Sequence, residues 1–284
     1  MIDIKKIQKE KPIEDLLEFS IIILNKPSGP TSFSAIQRVG RKILKVKKFG
    51  HFGTLDPMVT GVLPIALNRA CRLSNFFMHH DKTYVGQMHI HKKISKKKLE
   101  EEMKKFVGRI MQKPPKKSRV KRVERERKVN KFDLIEFKGQ NAEFVAEVQA
   151  GTYIRKLIHD LGENIGGAHM SGLHRTRAGI FSDKQMHTIE EIEIAFKEYE
   201  KGNDKKLRSM LIPAEIVSQI CKEVQVKKES IHYLINGKPL TKKDVIKKFP
   251  KEPIFSVFNK DRFIGIYQSI NDKEIIAKSM FILN

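Results

Sequence analysis

The chain has 284 residues and carries 56 Lys and Arg against 33 Asp and Glu, a formal net charge of +23. This excess favours a polyanionic partner. Nucleic acid is preferred over a membrane because no basic amphipathic helix with a broad apolar face stands out. A hydrophobic content of 40% is enough for a packed core in one large or two ordinary domains.

The cysteines and the N-terminal residues indicate the cellular compartment of the protein. Cys71 and Cys221 lie far apart and outside any metal-ligand spacing, which favours a reducing interior without structural disulfides. Residues 1–11 lack the apolar core of a signal peptide, and no run reaches transmembrane length. We therefore expect a cytoplasmic protein.

The chain predicts alternating strands and helices after a short N-terminal segment. Residues 13–19 form a candidate helix, and the branched run at 21–24 is typical of a buried strand. A helix then begins at Ser32 or Ser34, with Phe33 and Val39 near one apolar face. Further elements are strands at 62–67 and 84–90, helices at 68–77, 95–106 and 152–164, and a hairpin within 132–147.

A turn at residues 50–57 (GHFGTLDP) contains a candidate catalytic carboxylate. Because Pro57 follows Asp56, the aspartate is restricted to an extended backbone, while Gly53 and Gly61 let the chain bend on either side. Such a turn fixes one carboxylate at a loop tip. An ordinary Asp-Pro turn is the alternative.

A basic run at 116–128 is the densest in the chain and begins after two prolines that disfavour helix. It is predicted to be a mobile loop that contacts phosphates, and a plain solvated loop is the alternative. The RNA-binding candidates are Lys116, Lys117, Arg119, Lys121 and Arg122.

Four histidines surround the predicted strand at 84–90. His89 and His91 share one strand face, and His79 and His80 precede the strand. No carboxylate or thiolate completes a recognisable metal-ligand spacing, so a solvated basic face is expected and no metal site is assigned.

The C-terminal third changes in composition. A charged stretch around 190–206 predicts a linker, and the short apolar runs beyond it predict strands of a small β-barrel. The predicted organisation is an N-terminal extension at 1–20, a catalytic domain at 21–190, a linker at 191–206 and a β-barrel domain at 207–284.

Five ordered blocks resemble the TruB family of RNA pseudouridine synthases. They are residues 25–32 (NKPSGPTS), 50–57 with 60–64 (TGVLP), 82–84 (KTY), 151–155 (GTYIR) with 158–160 (IHD), and 175–179 (RTRAG). The insertion that bacterial tRNA enzymes carry after the tyrosine block is missing. The chain is therefore similar to the dyskerin-type, guide-RNA-dependent branch.

The resemblance implies a fold and a site. The fold is α/β (α+β), a mixed β-sheet flanked by helices with a C-terminal PUA-like β-barrel. Asp56 is implied as the catalytic residue, acting as nucleophile at ribose C1′ or as base at C2′. The implied substrate contacts are Arg155 pairing with Asp56, Tyr84 stacking on the base, His51 filling the space of the flipped nucleotide, and Lys26 and Leu173 lining the pocket. Taken alone, Arg155 is a surface arginine and Tyr84 a core tyrosine.

The resemblance also implies partners. These are substrate RNA, an H/ACA guide RNA, and small zinc-ribbon, β-barrel and kink-turn-binding protein subunits, with no cofactor or metal needed for the reaction. This chain departs from the family pattern at His174, Ala178 and Asp244, where arginine, serine and glycine are usual. Two alternatives stay open: a stand-alone tRNA pseudouridine synthase and a non-catalytic RNA-binding scaffold. In a eukaryote the location would be nucleolar.

Overall fold

The computed structural model describes residues 2–114, 121–246, 249–250, 252–270, 272 and 274–284. The α-helices are α1 (Ile4–Glu10), α2 (Ile13–Glu18), α3 (Ser32–Gln37), α4 (Ser74–Phe77), α5 (Lys96–Lys104), α6 (Ile154–Ile165), α7 (Ile189–Glu200), α8 (Lys205–Met210) and α9 (Ile231–Leu234). The strands are β1 (Ser20–Lys26), β2 (Phe49–His51), β3 (Thr60–Leu67), β4 (Lys82–Ile90), β5 (Gly108–Gln112), β6 (Arg125–Lys138), β7 (Asn141–Val148), β8 (Ala168–Ala178), β9 (Phe181–Ser182), β10 (Ile212–Pro213), β11 (Glu223–Gln225), β12 (Leu240–Thr241), β13 (Ile254–Asn259), β14 (Arg262–Ser269) and β15 (Ile275–Ile282).

The larger sheet carries the candidate site. Within the described residues it has ten strands, with the order β10-β1-β3-β8-β4-β7-β6-β5 and with β2 on β3 and β9 on β8. β3 and β8 are parallel and pair through Thr60 with His174 and Gly61 with Arg175, whereas the neighbouring pairs are antiparallel. The predicted mixed sheet flanked by helices is confirmed.

Both faces of this sheet are buried around β1. Ile22 and Leu24 belong to a cluster under α6 and α7, whereas Ile21 and Ile23 belong to a second cluster that also contains Phe263 of the C-terminal sheet. A strand covered on both faces has no need of polar alternation. This explains the continuous apolar run at 21–24.

The C-terminal region forms a second sheet around its own core. In the part that the structure describes, five strands follow the order β11-β13-β14-β15-β12. A bridge between Val226 and Val245 joins the two edges, so the sheet closes into a small barrel. Asp244 is buried there and accepts hydrogen bonds from Ser230, Tyr233 and Thr241, which satisfies its charge.

The N-terminal segment joins the two sheets. Phe19 stacks on Phe263 of the barrel with ring centroids 5.4 Å apart. The Gln8 amide donates to the carbonyls of Arg208 and Leu211, and the Arg208 guanidinium donates back to the Gln8 carbonyl. Residues 2–19 are therefore packed into the fold rather than extended from it.

The helix predicted from Ser32 to Ile43 differs in detail. α3 is followed by a π-helical segment, Arg38–Ile43, and the N-cap is Thr31. Val39 is buried as predicted, but Phe33 is 63% exposed, so its placement on the buried face is wrong. The reason is that Ser32 points inward to hydrogen-bond Leu55, which turns the next side chain outward.

The linker predicted at 191–206 is also wrong. α7 and α8 cover most of this stretch, and Ile192, Ala195 and Phe196 are buried in the cluster beneath the larger sheet. The charged residues occupy the outer face of an amphipathic helix, which composition alone cannot distinguish from a solvated connector.

None of the described helices is long and apolar enough to cross a membrane.

Candidate active site

Asp56 lies in the loop that joins β2 to β3, and the loop is fixed on both sides of it. The Ser32 hydroxyl donates to the Leu55 carbonyl at 2.7 Å and accepts from the Leu55 amide at 2.8 Å. The Gly29 amide donates to the Pro57 carbonyl at 2.9 Å. The Asp56 side chain itself remains 54% exposed. A carboxylate is thus presented to solvent from an immobilised backbone.

Lys26 supports the loop from below. Its ammonium is fully buried and donates to the carbonyls of Pro27, Pro57 and Val59 at 2.8, 3.0 and 3.0 Å. Burial lowers the pKa of Lys26, and the nearby charge of Asp56 opposes that shift. The cation therefore positions the loop and places positive charge beneath the carboxylate.

Arg175 is a second buried cation under the loop, and sequence reasoning did not single it out as a site residue. Its guanidinium donates to the carbonyls of Gly53 at 3.0 Å and Val62 at 2.8 Å. The backbone of Arg175 passes so close to Gly61 that a Cβ there would lie 2.3 Å from its carbonyl oxygen. The loop that carries Asp56 is thereby bound to β8.

Arg155 reaches the carboxylate from the first turn of α6. Its Nη2 donates to Asp56 Oδ2, and the Arg155 side chain is 48% exposed. The Gln112 side chain fixes this end of α6, since it accepts from the Tyr153 amide at 2.9 Å and donates to the Tyr153 carbonyl at 3.2 Å. The guanidinium and the positive end of the helix both place positive charge next to the carboxylate.

Tyr84 and Leu173 come from adjacent strands, β4 and β8. Tyr84 is buried, packs in the cluster beneath the sheet and pairs in register with Arg175. Leu173 is half-buried and pairs in register with Gly86. Tyr84 and Leu173 therefore lie on neighbouring strands of the larger sheet, close to Arg175.

His51 ends β2 and begins the catalytic loop. Burial, followed by the positive charge of Arg175, lowers the pKa of His51, so the imidazole is neutral at pH 7. The Gly53 amide donates to its Nδ1 at 3.3 Å. A neutral ring is less costly to bury than a charged one.

A cleft of about 350 Å³ opens beside the loop. It is lined by Lys26, Thr60 and His174 together with the first turn of α7. The Thr60 hydroxyl and His174 Nδ1 are hydrogen-bonded at 2.7 Å, so the histidine at this position is oriented by the residue that starts β3.

A larger cavity lies elsewhere, with a volume of about 1070 Å³. It is lined by α2, the segment before β2, the turn after β3 and β15. Lys45, Lys47, Lys48, Arg69 and Arg72 contribute to its wall. Asp56 does not line it, so cavity size alone does not identify the catalytic position.

The predicted RNA-binding residues fall partly outside the structure. Lys116, Lys117 and Arg119 lie outside the described residues, whereas Lys121 and Arg122 are exposed in an irregular segment. From Arg125 onward the basic run is strand β6, so the prediction of a loop extending to residue 128 is wrong there. Pairing with β5 and β7 overrides the weak local preference of these charged residues.

Lys82, which belongs to the KTY block, should make the stability of the protein depend on pH. It is buried against Arg175 and donates to the carbonyls of Met78 and His80. Burial, then the charge of Arg175, lowers the pKa of Lys82 to about 8, against 10.5 for an ordinary lysine. Above pH 8 the folded state therefore binds fewer protons than the unfolded state, and stability should rise with pH through this group.

Lys82→Met tests this linkage. We expect the free energy of unfolding of the wild type, relative to Lys82→Met, to increase between pH 8 and 10.5 by on the order of 3 kcal/mol. Below pH 8 Lys82 is protonated in the folded and the unfolded state, so the difference in the free energy of unfolding between the wild type and Lys82→Met should be constant. Urea unfolding at several pH values measures it. A difference that does not change across this window would contradict the assignment.

Comparisons with known proteins agree with this geometry. Residues 41–96 match the TruB family pseudouridylate synthase (N terminal domain), and residues 155–218 match the tRNA pseudouridylate synthase B C-terminal domain. An Archaeoglobus fulgidus protein named probable tRNA pseudouridine synthase B is 36% identical over 275 residues, which cover 95% of this chain and 84% of that protein. A Pyrococcus horikoshii protein of the same name is 39% identical over 241 residues, covering 84% of this chain and 72% of that protein.

Two solved structures share the whole fold. A crystal structure of a Cbf5-Nop10-Gar1 complex contains a chain with a TM-score of 0.86 and 33% identity, covering 97% of this chain and 88% of that one. An H/ACA RNP bound to a substrate RNA containing 2′-deoxyuridine contains another, with a TM-score of 0.86, 31% identity and the same coverage. The class is therefore an RNA isomerase.

The chain belongs to the TruB family of pseudouridine synthases. The predicted likeness to its dyskerin-type branch is confirmed by the similarity to Cbf5 across the full fold.

Proposed function

We propose that this protein is the catalytic subunit of a box H/ACA ribonucleoprotein and isomerises uridine to pseudouridine in RNA, with rRNA as a substrate. A guide RNA selects the uridine by base pairing, as in other guided enzymes. The single observation that carries the proposal is the Arg155–Asp56 pair above a loop fixed on both sides.

The reaction replaces a nitrogen–carbon bond by a carbon–carbon bond, with one proton lost from the base and one gained by it. The bond between uracil N1 and ribose C1′ breaks, the base turns, and a bond forms between uracil C5 and C1′. The proton on C5 is lost and N1 gains one. Asp56 acts at the sugar, either as nucleophile at C1′ or as base at C2′, in the manner of glycosidase carboxylates.

The remaining site residues prepare the substrate. The target nucleotide must leave its stack, at a cost of a few kcal/mol that stacking on an aromatic ring offsets. Tyr84 is the stacking platform, and His51 occupies the space of the flipped nucleotide. Lys26 and Leu173 line the pocket. Arg155 holds the Asp56 carboxylate in place by a hydrogen-bonded ion pair.

The C-terminal barrel, residues 207–284, serves as a PUA-like RNA-binding module. Lys121 and Arg122 contact substrate phosphates together with Lys116, Lys117 and Arg119. The protein partners are small zinc-ribbon, β-barrel and kink-turn-binding subunits. The similarity to chains in Cbf5-Nop10-Gar1 and H/ACA RNP structures supports such an assembly. As part of the same proposal, the protein acts in the cytoplasm of an archaeal-type cell.

Guide dependence separates this proposal from its alternatives. The assay follows tritium release from RNA labelled at uracil C5, with and without guide RNA and partner subunits. We expect turnover at the guided uridine only when the guide is present. Guide-independent turnover on tRNA would favour the stand-alone synthase, which the names of the archaeal relatives support. RNA binding without turnover would favour the non-catalytic scaffold.

The salt dependence of RNA binding tests the basic run. Lys121→Ala with Arg122→Ala should flatten the slope of log K against log salt by about 0.7–0.9 for each lost phosphate contact. Lys138→Ala is the control, because that lysine is exposed at a hairpin tip and paired with Glu136. If the double variant keeps the wild-type slope, this segment is a solvated loop.

A further inference from the structure

Three histidines converge at the end of β4 that is remote from Tyr84. His89 on β4 pairs in register with His169 on β8, and the His91 amide bonds to the Gly167 carbonyl, which continues this pairing. The ring centroids of His91 and His169 lie 5.2 Å apart, those of His89 and His169 5.4 Å, and those of His89 and His91 6.2 Å. The strands thus place three imidazoles on one patch.

The four histidines near β4 that the sequence suggested as metal ligands are a different group. It combined His89 and His91 with His79 and His80, which lie at the opposite end of β4. Residues 82–88 of β4 lie between His80 and His89, and these strand residues alone span about 23 Å. His169, 78 positions after His91, completes the group instead, and no local spacing could reveal that.

The hydrogen bonds leave nitrogen lone pairs available. His89 Nδ1 donates to Asn141 Oδ1 at 2.8 Å, so its Nε2 carries the lone pair and faces away from the amide. Such a hydrogen bond to the second ring nitrogen is typical of metal-binding histidines. His91 Nε2 lies 2.9 Å from His169 Nδ1, so at least one of these rings is neutral and accepts the bond.

The spacing suits a tetrahedral transition metal. With metal–nitrogen distances of about 2.0–2.1 Å, imidazoles on a tetrahedral zinc have ring centroids about 5 Å apart and ligand nitrogens about 3.4 Å apart. The observed centroid distances exceed this value by about 1 Å at most. The three ligand nitrogens do not yet lie around one point, so metal binding requires side-chain rotations that exchange the His91–His169 hydrogen bond for bonds to the ion. The exposure of His91 and His169 leaves room for these rotations.

We propose that His89, His91 and His169 form a three-histidine site for a divalent transition metal of the zinc class, oriented by Asn141 and open to a fourth ligand. The site lies outside the catalytic machinery. The described residues contain a competing group, His159, Asp160 and Glu163 on α6. In that group Asp160 already accepts from the Lys156 ammonium, which makes it the weaker candidate.

Zinc titration of the purified full chain by calorimetry tests the site. We expect one zinc per chain, and a visible absorption band of tetrahedral type when cobalt replaces zinc. Asn141→Ala should weaken zinc binding by about 10–100-fold, as for other groups that orient a ligand. His91→Ala and His169→Ala should weaken it more and abolish the cobalt band. His159→Ala should bind zinc as the wild type does.

Three outcomes would overturn the proposal. These are no saturable zinc binding by the wild type, unchanged binding by His91→Ala and His169→Ala, or loss of binding in His159→Ala alone. Metal-free melting temperatures of the variants exclude misfolding as the cause. Because His91 and His169 are exposed, their removal should leave the metal-free protein as stable as the wild type.

Discussion

Asp56→Asn should reduce the single-turnover rate of pseudouridine formation by on the order of 10⁴-fold or more, because the variant lacks the oxygen that reacts at the sugar. Asparagine keeps the size and the hydrogen-bonding reach of the side chain but not its charge. The fixed loop depends on the backbone of Leu55 and Pro57, so the fold should not change. An ion pair this exposed contributes about 0–1 kcal/mol to stability, and the melting temperature should shift little.

Asp133→Asn is the matched control. Asp133 is 59% exposed on β6 and paired with Lys131 at 3.3 Å, so it shares the exposure and ion pairing of Asp56 but lies in a strand. Its variant should isomerise uridine at the wild-type rate. If Asp56→Asn retains a rate within tenfold of the wild type while binding RNA normally, Asp56 is not the reacting group.

Gly61→Ala should destabilise the fold by on the order of 4 kcal/mol. Gly61 has a φ of +102°, which L residues rarely adopt, and a Cβ would lie 2.3 Å from the Arg175 carbonyl oxygen and 2.9 Å from its nitrogen. Backbone atoms cannot move aside as a flexible side chain can. The change would separate β3 from β8 and withdraw the Arg175 guanidinium from the Gly53 carbonyl.

Gly108→Ala isolates the steric part of that cost. Gly108 has a similar φ of +111°, but a Cβ there would meet no atom of the described residues within 4 Å. Its alanine variant carries only the backbone strain, about 1–2 kcal/mol. Chemical denaturation of both variants gives the comparison. Equal losses of stability would mean that the contact between Gly61 and Arg175 is unimportant.

The pairing of Asp56 with Arg155 could be predicted from sequence because its signals are local. The proline after Asp56 restricts one backbone, and the GTYIR block sets Arg155 in the first turn of a helix. The predicted contact between them is confirmed in the structure. Several strands, among them β1, β3, β4, β13 and β14, were predicted for the same reason, since alternating or continuous apolar runs are short-range patterns. The strands β5 and β8 were not predicted.

The supports of the site could not be predicted in this way. Arg175 appears in the sequence as one more basic residue, and only the fold shows that it is buried and bonded to two carbonyls of the catalytic loop region. Ser32 and Gln112 act across 23 and 41 positions. Whether a polar side chain is inward or outward depends on packing between distant segments, which composition does not encode.

The same limit explains the errors. The charged stretch at 191–206 has the composition of a linker, yet every third or fourth residue is apolar and faces the core as α7. His169 joins His89 and His91 only because β8 lies antiparallel to β4. Pairing between distant strands depends on the whole sheet, so it produces no residue pattern at a fixed spacing in the sequence.

A double-mutant cycle on Asp56 and Arg155 tests the central claim most directly. Tritium release from C5 is measured in single turnovers for wild type, Asp56→Asn, Arg155→Gln and the double variant, with guide and substrate RNA at saturation. If Arg155 acts through the Asp56 carboxylate, Arg155→Gln alone should slow release by about 10²–10³-fold and should cost nothing further in the Asp56→Asn background. Losses that multiply, or a fully active Arg155→Gln, would contradict the account.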